Sequence, residues 1–209
     1  MEFMISIREK TSLLHSASEH SGYIKRIVDG NASVEGYAEY LFNLNSMYRA
    51  IEDTLENNIN NPVVKDFVTK ELYRSELILK DLEFLLGDKL PAMELLASTK
   101  ACISRILEIS EGKPELIIAY AYTRFLADLF GGRTFPALLS KNYNIGPEGL
   151  NYYKYDNLED IKGYVMSYHN KLASLDLSDE MRTEFVNEVS NAYIYNLAIS
   201  NELEAKLNL

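Results

Sequence analysis

The stretch PELIIAYAYTRFLADLFGGRTFPALLS, residues 114–140, decides the fold that we predict for this chain. Its apolar residues recur at helical spacing, and its first residue is a proline, which a helix tolerates at that position. Gly131 and Gly132 interrupt the pattern, which resumes at Phe135, so we expect the pair to bend the helix rather than end it. Strand signals, such as alternation between Asn-Gly or Asp-Gly turns, are missing from the whole sequence. The sequence therefore predicts an all-α fold.

Helix start and stop signals recur on both sides of this stretch. The first five predicted helices cover Met4–Val28, an apolar stripe from a cap at Ser33 to Leu55, Pro62–Leu86, Pro91–Ser110, and the stretch that begins at Pro114. A loop is predicted over 141–157. The last two helices are predicted to begin at caps formed by Asn157 and Ser178. Only 10 Gly and 5 Pro are present, so no segment suggests a flexible linker. Without a visible internal repeat, the prediction is a compact single-domain bundle of seven to eight helices covering residues 1–209.

Charge and cysteine content limit the partners and the compartment. Acidic residues outnumber basic ones 31 to 21, so the net charge of −10 disfavours nucleic acid and anionic lipid. The sequence has neither a secretory signal nor a run of the ~20 apolar residues that span a bilayer, so we expect no membrane association. A single cysteine, Cys102, is typical of a reducing compartment, which predicts a cytoplasmic protein.

Several reaction classes leave signatures that this sequence lacks. It contains no glycine-rich phosphate loop, no Cys-x-x-Cys, no His-Glu-x-x-His and no Gly-x-Ser-x-Gly. Its three histidines, His15, His20 and His169, are too few and too scattered to suggest a multi-histidine metal site.

His15 lies within the first predicted helix, on a face of small and polar residues. The positions that share this face are Arg8, Thr11, Ser12, Ser18, Glu19 and Gly22. A flat macrocycle could approach such a face, the imidazole could bind iron, and Glu19 could hold the other ring nitrogen or a nearby water. The alternative is a surface histidine with a helical glutamate neighbour.

Arg124 and Asp128 are four residues apart in the deciding stretch, so they share a helix face and can form a charge pair. The glycine pair that follows lacks side chains, which lets main chain lie against a planar ligand. The alternative is a solvated ion pair followed by an ordinary glycine cap.

Both stretches resemble the haem oxygenase family. Leu14-His15-Ser-Ala-Ser-Glu19 is similar to that family's proximal segment, and PELIIAYAYTRFLADLFGG to its distal helix. Further similarity lies in LNSMYRAIEDTLENN, in ELYRSELILKDLEFLLG and in SLDLSDEMRTEFVNEVSNAYIYNLAISNEL. The resemblance extends from Ile7 to Leu203.

The resemblance implies that haem b, held between the first helix and the bent distal helix, is both cofactor and substrate. It implies His15 as the iron ligand, dioxygen as co-substrate, and biliverdin, carbon monoxide and ferrous iron as products. It implies a catalytic role for Asp128, which would organise water with the help of Tyr48, Arg124 and Asn196. The remaining positions that it places against the haem are Arg8, Ser18, Glu19, Tyr122, Thr123, Ala127, Phe130, Gly131, Gly132 and His169.

The sequence also departs from the family pattern. Ala127 stands where a glycine is usual and Phe130 where a small residue is common, so both side chains are expected to crowd the distal side. His169 and Val165 occupy positions where the family tends to use Arg and Lys for the propionates, and Lys162 is a possible substitute.

These departures leave a non-catalytic haem carrier or sensor on the same fold as the main alternative. A second alternative is a thiamin-degrading protein of similar architecture, whose thiol nucleophile would have to be Cys102. A haem oxygenase would need an electron donor such as ferredoxin, flavodoxin or a flavin-dependent reductase. We expect Lys25, Arg26 and Arg133 to form a local basic patch for that partner.

Overall fold

The structure is a computed structural model that describes residues 2–208, and this range contains helices and no β-strand. Its α-helices are α1 (Glu2–His20), α2 (Gly22–Val28), α3 (Val34–Asn57), α4 (Ser75–Leu86), α5 (Ala97–Gly112), α6 (Ile117–Phe130), α7 (Phe135–Tyr143), α8 (Ile161–Ala173) and α9 (Asp179–Leu207). The all-α prediction is confirmed. The predicted bundle of seven to eight helices is also confirmed, because α1 and α2 together correspond to one predicted helix. Met1 and Leu209, the ends of the predicted domain, lie outside the described residues.

Helix α9 is the frame on which the site is built. It packs against α1, α2, α5 and α6, and its buried side chains include Phe185, Val189 and Leu203. Helices α1 and α6 both pack on α9 but make few contacts with each other. This arrangement leaves a space between α1 and α6 whose floor is α9.

The predicted cap at Ser178 is confirmed, because its side chain accepts a hydrogen bond from the N–H of Met181 at 3.2 Å. The predicted cap at Asn157 is wrong. Helix α8 begins after Asp160, whose carboxylate accepts from the N–H of Gly163 at 2.9 Å.

Two helices begin later than predicted because side chains from other helices fix their first turns. The predicted helix from Pro62 is wrong up to residue 74, a segment that includes two short 3-10 turns. Glu52 of α3 accepts hydrogen bonds from the N–H groups of Arg74 and Ser75, at 2.6 and 3.0 Å, which sets the start of α4. The helix predicted from Pro91 begins only at Ala97.

The start of α5 is held in the same way. Asn43 of α3 accepts from the N–H of Leu96 at 2.9 Å. Glu202 of α9 accepts from the N–H groups of Ala97 and Ser98, at 2.9 and 2.8 Å. Free N–H groups at a helix start attract a carboxylate, so these distant partners decide where the helix begins.

The predicted continuous helix Met4–Val28 is also wrong, since it breaks at Ser21 and restarts at Gly22. Gly22 has a φ of +57°, which favours glycine, and a Cβ built there would lie 2.6 Å from Oγ of Ser200. The Ser200 hydroxyl accepts from the N–H of Ile24 and donates to the carbonyl of Ser21, at 3.2 and 3.3 Å. The break therefore fastens the end of α1 to α9.

We predict that Gly22→Ala lowers the free energy of unfolding by about 3 kcal/mol, from left-handed strain together with the clash against Ser200. Gly87→Ala is the matched control, because Gly87 also has a positive φ of +50° but has no atom within 4 Å of the built Cβ. It should cost only about 1 kcal/mol. Urea unfolding followed by circular dichroism measures both, and equal losses would contradict the close approach.

Candidate functional site

A cavity of about 440 Å³ lies between α1, α3, α6 and α9, within the size range of small-molecule and cofactor sites. Its wall is formed by His15, Ser18, Glu19, Ile24, Tyr40, Leu44, Met47, Thr123, Arg124, Ala127, Asp128, Phe130, Gly132, Phe135, Tyr152, Tyr153, Tyr193, Asn196 and Ile199. Most of these side chains are apolar or aromatic, and the polar ones come from α1, α6 and α9. Nine residues that the sequence predicts for the haem site therefore line one cavity together with His15.

His15 is half exposed on the wall of this cavity, with 49% of its side chain accessible. Its ring packs edge-on against Tyr193, at 5.6 Å between centroids. Nδ1 lies 3.7 Å from Oε2 of Glu19, which is too long for a direct hydrogen bond. Nε2 has no protein partner among residues 2–208, so this nitrogen is free to coordinate a metal.

Arg124, Asp128 and Tyr48 form a hydrogen-bonded network beside the cavity. Nη2 of Arg124 donates to both carboxylate oxygens of Asp128, at 3.0 and 3.1 Å, and the Tyr48 hydroxyl donates to Oδ2 of the same carboxylate. Only 11% and 12% of the Arg124 and Asp128 side chains are exposed. The alternative of a solvated pair is therefore wrong. Asn196 lines the cavity from α9, whereas Tyr48 is fully buried behind Asp128.

Burial sets the protonation states of this network. It raises the pKa of the Tyr48 hydroxyl well above its usual value, and the adjacent Asp128 charge raises it further, so Tyr48 is a neutral donor. Burial by itself lowers the pKa of the Arg124 guanidinium, but the Asp128 carboxylate outweighs it and the net shift is upward. Nε of Arg124 is buried and has no hydrogen-bond partner in the described part of the chain.

The glycine pair lies in a 3-10 turn, Gly131–Thr134, that joins α6 directly to α7. The predicted single bent helix is wrong, because α6 ends at Phe130; the helical path continues beyond the turn, since α7 begins directly after it at Phe135. Gly132 is buried on the cavity wall, where an added Cβ would contact the Tyr153 ring at 3.5 Å. Phe130 also lines the cavity but is 55% exposed, so it lies at the mouth and covers less of the interior than expected.

Three residues predicted to lie against the haem, Arg8, Tyr122 and His169, are not on the wall of this cavity. Arg8 is exposed on α1, while Tyr122 and His169 contact each other, with ring centroids 6.0 Å apart. Burial lowers the pKa of His169, so its imidazole is neutral at pH 7 and would offer a carboxylate a hydrogen bond instead of an ion pair. Lys162 is exposed and Val165 is buried.

Sequence reasoning missed several wall residues, among them Tyr40, Leu44 and Met47 of α3 and Tyr152 and Tyr153 of the 141–157 loop. The α3 residues lie on the face that was expected to be core. For the tyrosine pair the only signal was two adjacent aromatic residues in a segment without helical periodicity.

Cys102 does not line the cavity and is fully buried within α5. Burial raises the pKa of its thiol to about 12, so the reactive thiolate is scarce at neutral pH. Neither its position nor its ionisation suits the nucleophile that a thiamin-degrading protein would need.

We predict that Cys102 in the folded chain resists iodoacetamide at pH 8, because the thiol is both inaccessible and protonated. Mass spectrometry should show no added group after an hour, and complete modification when the same chain is unfolded in urea. Rapid alkylation of the folded chain would contradict the buried placement.

Metal-binding clusters and bilayer-spanning helices are both absent from the described residues. Residues 2–208 contain no group of three or more His, Cys, Asp or Glu side chains arranged to hold a metal ion. Within the same residues, no helix has the length and hydropathy needed to cross a bilayer.

Fold and site together define an all-helical protein with a cavity of cofactor size, an imidazole on one helix and a buried Arg–Asp pair on another. Residues 1–202 match the Heme oxygenase family. The chain is 34% identical over 202 residues to a heme oxygenase of Guillardia theta, covering 96% of this chain and 85% of that one. The chain belongs to the haem oxygenase family.

Solved structures agree with this result. The structure of a heme oxygenase from Leptospira interrogans superposes with a TM-score of 0.91 at 32% identity, covering 97% of this chain and 100% of the other. Heme oxygenase-1 of the cyanobacterium Synechocystis, in complex with heme, gives a TM-score of 0.93 at 26% identity, with coverage of 100% and 95%.

Proposed function

We propose that this protein binds haem b between α1 and α6 and cleaves it oxidatively, with dioxygen, to biliverdin, carbon monoxide and ferrous iron. One observation carries the proposal: a single cavity is lined by the free imidazole nitrogen of His15 and by the buried Arg124–Asp128 pair. The first group suits an iron ligand, and the second suits the control of protons. Membership of the haem oxygenase family supports both roles.

The residues present fit a porphyrin. Thr123, Ala127 and Gly132 give the α6 side of the cavity small side chains, and aromatic rings supply apolar surface. His15 is a single available ligand, which suffices when a macrocycle provides the others. When bound, haem supplies the iron that activates dioxygen and the ring carbon that is oxidised.

Asp128 is well placed to hold water on the α6 side. Its carboxylate is fixed by Arg124 and by the Tyr48 hydroxyl, and it still contributes to the cavity wall. Tyr48 keeps its proton and remains a donor to Asp128, so the carboxylate stays oriented. A water held by Asp128 and Asn196 can deliver protons without placing a strong acid beside the reacting atoms.

The carrier or sensor alternative is not favoured, because the matched relatives are named heme oxygenases over nearly the full length of this chain. The crowding expected from Phe130 is reduced by its position at the mouth. Ala127 adds one methyl group to the wall.

An electron donor such as ferredoxin, flavodoxin or a flavin-dependent reductase is part of the proposal. The basic patch expected for it is largely neutralised: Lys25 pairs with Asp29, and Arg26 pairs with Glu204 at 2.6 Å. Arg133 is exposed beside the cavity. The single buried thiol suits a reducing compartment, and we retain the cytoplasm as the proposed location.

We predict that His15→Ala abolishes the histidine-ligated absorption spectrum of the haemin complex and lowers haem affinity by at least about tenfold. His20→Ala is the matched control, because His20 lies in the same helix but is not part of the cavity wall. Haemin titration followed by visible spectroscopy measures both. An unchanged spectrum in the His15 variant would refute the proposed ligand.

We predict that Asp128→Asn retains haem binding but loses about 100-fold in bilin formation, because the amide cannot replace the carboxylate in ordering water and accepting protons. The assay follows bleaching of the Soret band and bilin absorbance after the haem complex is reduced under oxygen. If the unsubstituted chain binds haem and leaves it intact, the carrier alternative holds instead.

A further inference from the structure

Tyr152 is a cavity residue that the network described so far does not use. It lies in the short 3-10 turn Asn151–Tyr153, lines the cavity and is only 3% exposed. Its ring packs edge-on against Tyr48, at 6.0 Å between centroids, and against Tyr153 at 4.6 Å. The phenol is therefore fixed beside the Arg124–Asp128 pair.

The hydroxyl of Tyr152 accepts one hydrogen bond, and its own hydrogen is available to donate another. Its oxygen accepts a hydrogen bond from Nη2 of Arg124 at 3.1 Å. Nη2 carries two hydrogens, so one is shared by the Asp128 carboxylate and the other points to Tyr152. Within residues 2–208 no acceptor receives a hydrogen bond from the Tyr152 hydroxyl.

The main chain of this turn is anchored from α4. The buried carboxylate of Asp81 accepts hydrogen bonds from the N–H groups of Asn151 and Tyr152, at 2.7 and 2.8 Å, and from the Asn151 amide at 2.9 Å. Three bonds to one buried carboxylate give the segment little freedom. These bonds fix the loop segment that carries Tyr152 to α4.

We propose that Tyr152 is a second hydrogen-bond donor on the α6 side of the cavity, which presents its hydroxyl proton to an electronegative ligand there and is polarised by Arg124. This inference rests on the proposed haem site and adds a donor to it. A hydroxyl that accepts from a guanidinium becomes a stronger donor, because consecutive hydrogen bonds polarise one another.

The protonation state of Tyr152 supports this role. Burial, followed by the negative charge of Asp128, raises its pKa well above the usual phenol value. The hydroxyl therefore keeps its proton throughout the neutral range. It can hold a hydrogen bond without becoming a competing base for the protons that pass through Asp128.

Fluoride and carbon monoxide are the probes that separate this role from a packing role. Fluoride accepts hydrogen bonds strongly and carbon monoxide accepts them poorly. Tyr152→Phe should weaken fluoride binding to the ferric haem complex about tenfold, the size expected for one hydrogen bond to a charged acceptor. Haem affinity and the carbon monoxide affinity of the reduced complex should change less than about twofold, since the ring is retained.

Tyr73→Phe is the matched control. Its ring lies near Phe125, 6.1 Å between centroids, and its hydroxyl donates to the Glu56 carboxylate at 3.1 Å, but it does not line the cavity. It should leave both affinities unchanged. A second variant, Asp81→Asn, weakens the anchor of the turn and should lower fluoride affinity less than Tyr152→Phe does.

The outcomes are distinguishable. Unchanged fluoride affinity in Tyr152→Phe, or an equal loss for fluoride and carbon monoxide, would overturn the donor role and leave the haem site intact. Failure of the unsubstituted chain to take up haemin would overturn the proposed function, and the donor role with it.

Discussion

The guanidinium of Arg124 is nine-tenths buried beside the cavity, and a guanidinium does not lose its charge by deprotonation. A buried charge is tolerated only with close partners, and Arg124 has the Asp128 carboxylate and the Tyr152 hydroxyl. That carboxylate in turn accepts a hydrogen bond from the Tyr48 hydroxyl. These contacts compensate the buried guanidinium, so a polar network is maintained beside a cavity whose other walls are mainly apolar.

This network spans distant parts of the chain, and carboxylates at helix starts keep those parts in place. Glu52 fixes the first turn of α4, and Glu202 fixes the first turn of α5. Asp81 does the same for the turn that carries Tyr152. The acidic composition thus has structural uses in the interior as well as a role in surface charge. Counting charges along the sequence does not separate the two, because burial is decided by the tertiary fold.

Local patterns in the sequence were sufficient for the helical fold and for the pairing of Arg124 with Asp128, since both depend on residues within one helix. They failed where the deciding partner is remote. The break before Gly22 depends on Ser200, and the late start of α4 depends on Glu52. Tyr152 was missed for the same reason: nothing near it in the sequence reveals that Arg124 approaches its hydroxyl.

One feature of α1 bears on how a ligand would enter and leave. After Thr11, the next buried residue is Tyr23, so the half-helix that carries His15 is secured by few apolar contacts. Little hydrophobic free energy therefore opposes a local opening of this half of α1. A ligand that is bonded to His15 through a metal stabilises the closed form of this half-helix by mass action. A metal-free product does not have this bond. Substrate binding and product release can then use the same opening beside α1, and the metal–imidazole bond keeps it closed while the metal is bound.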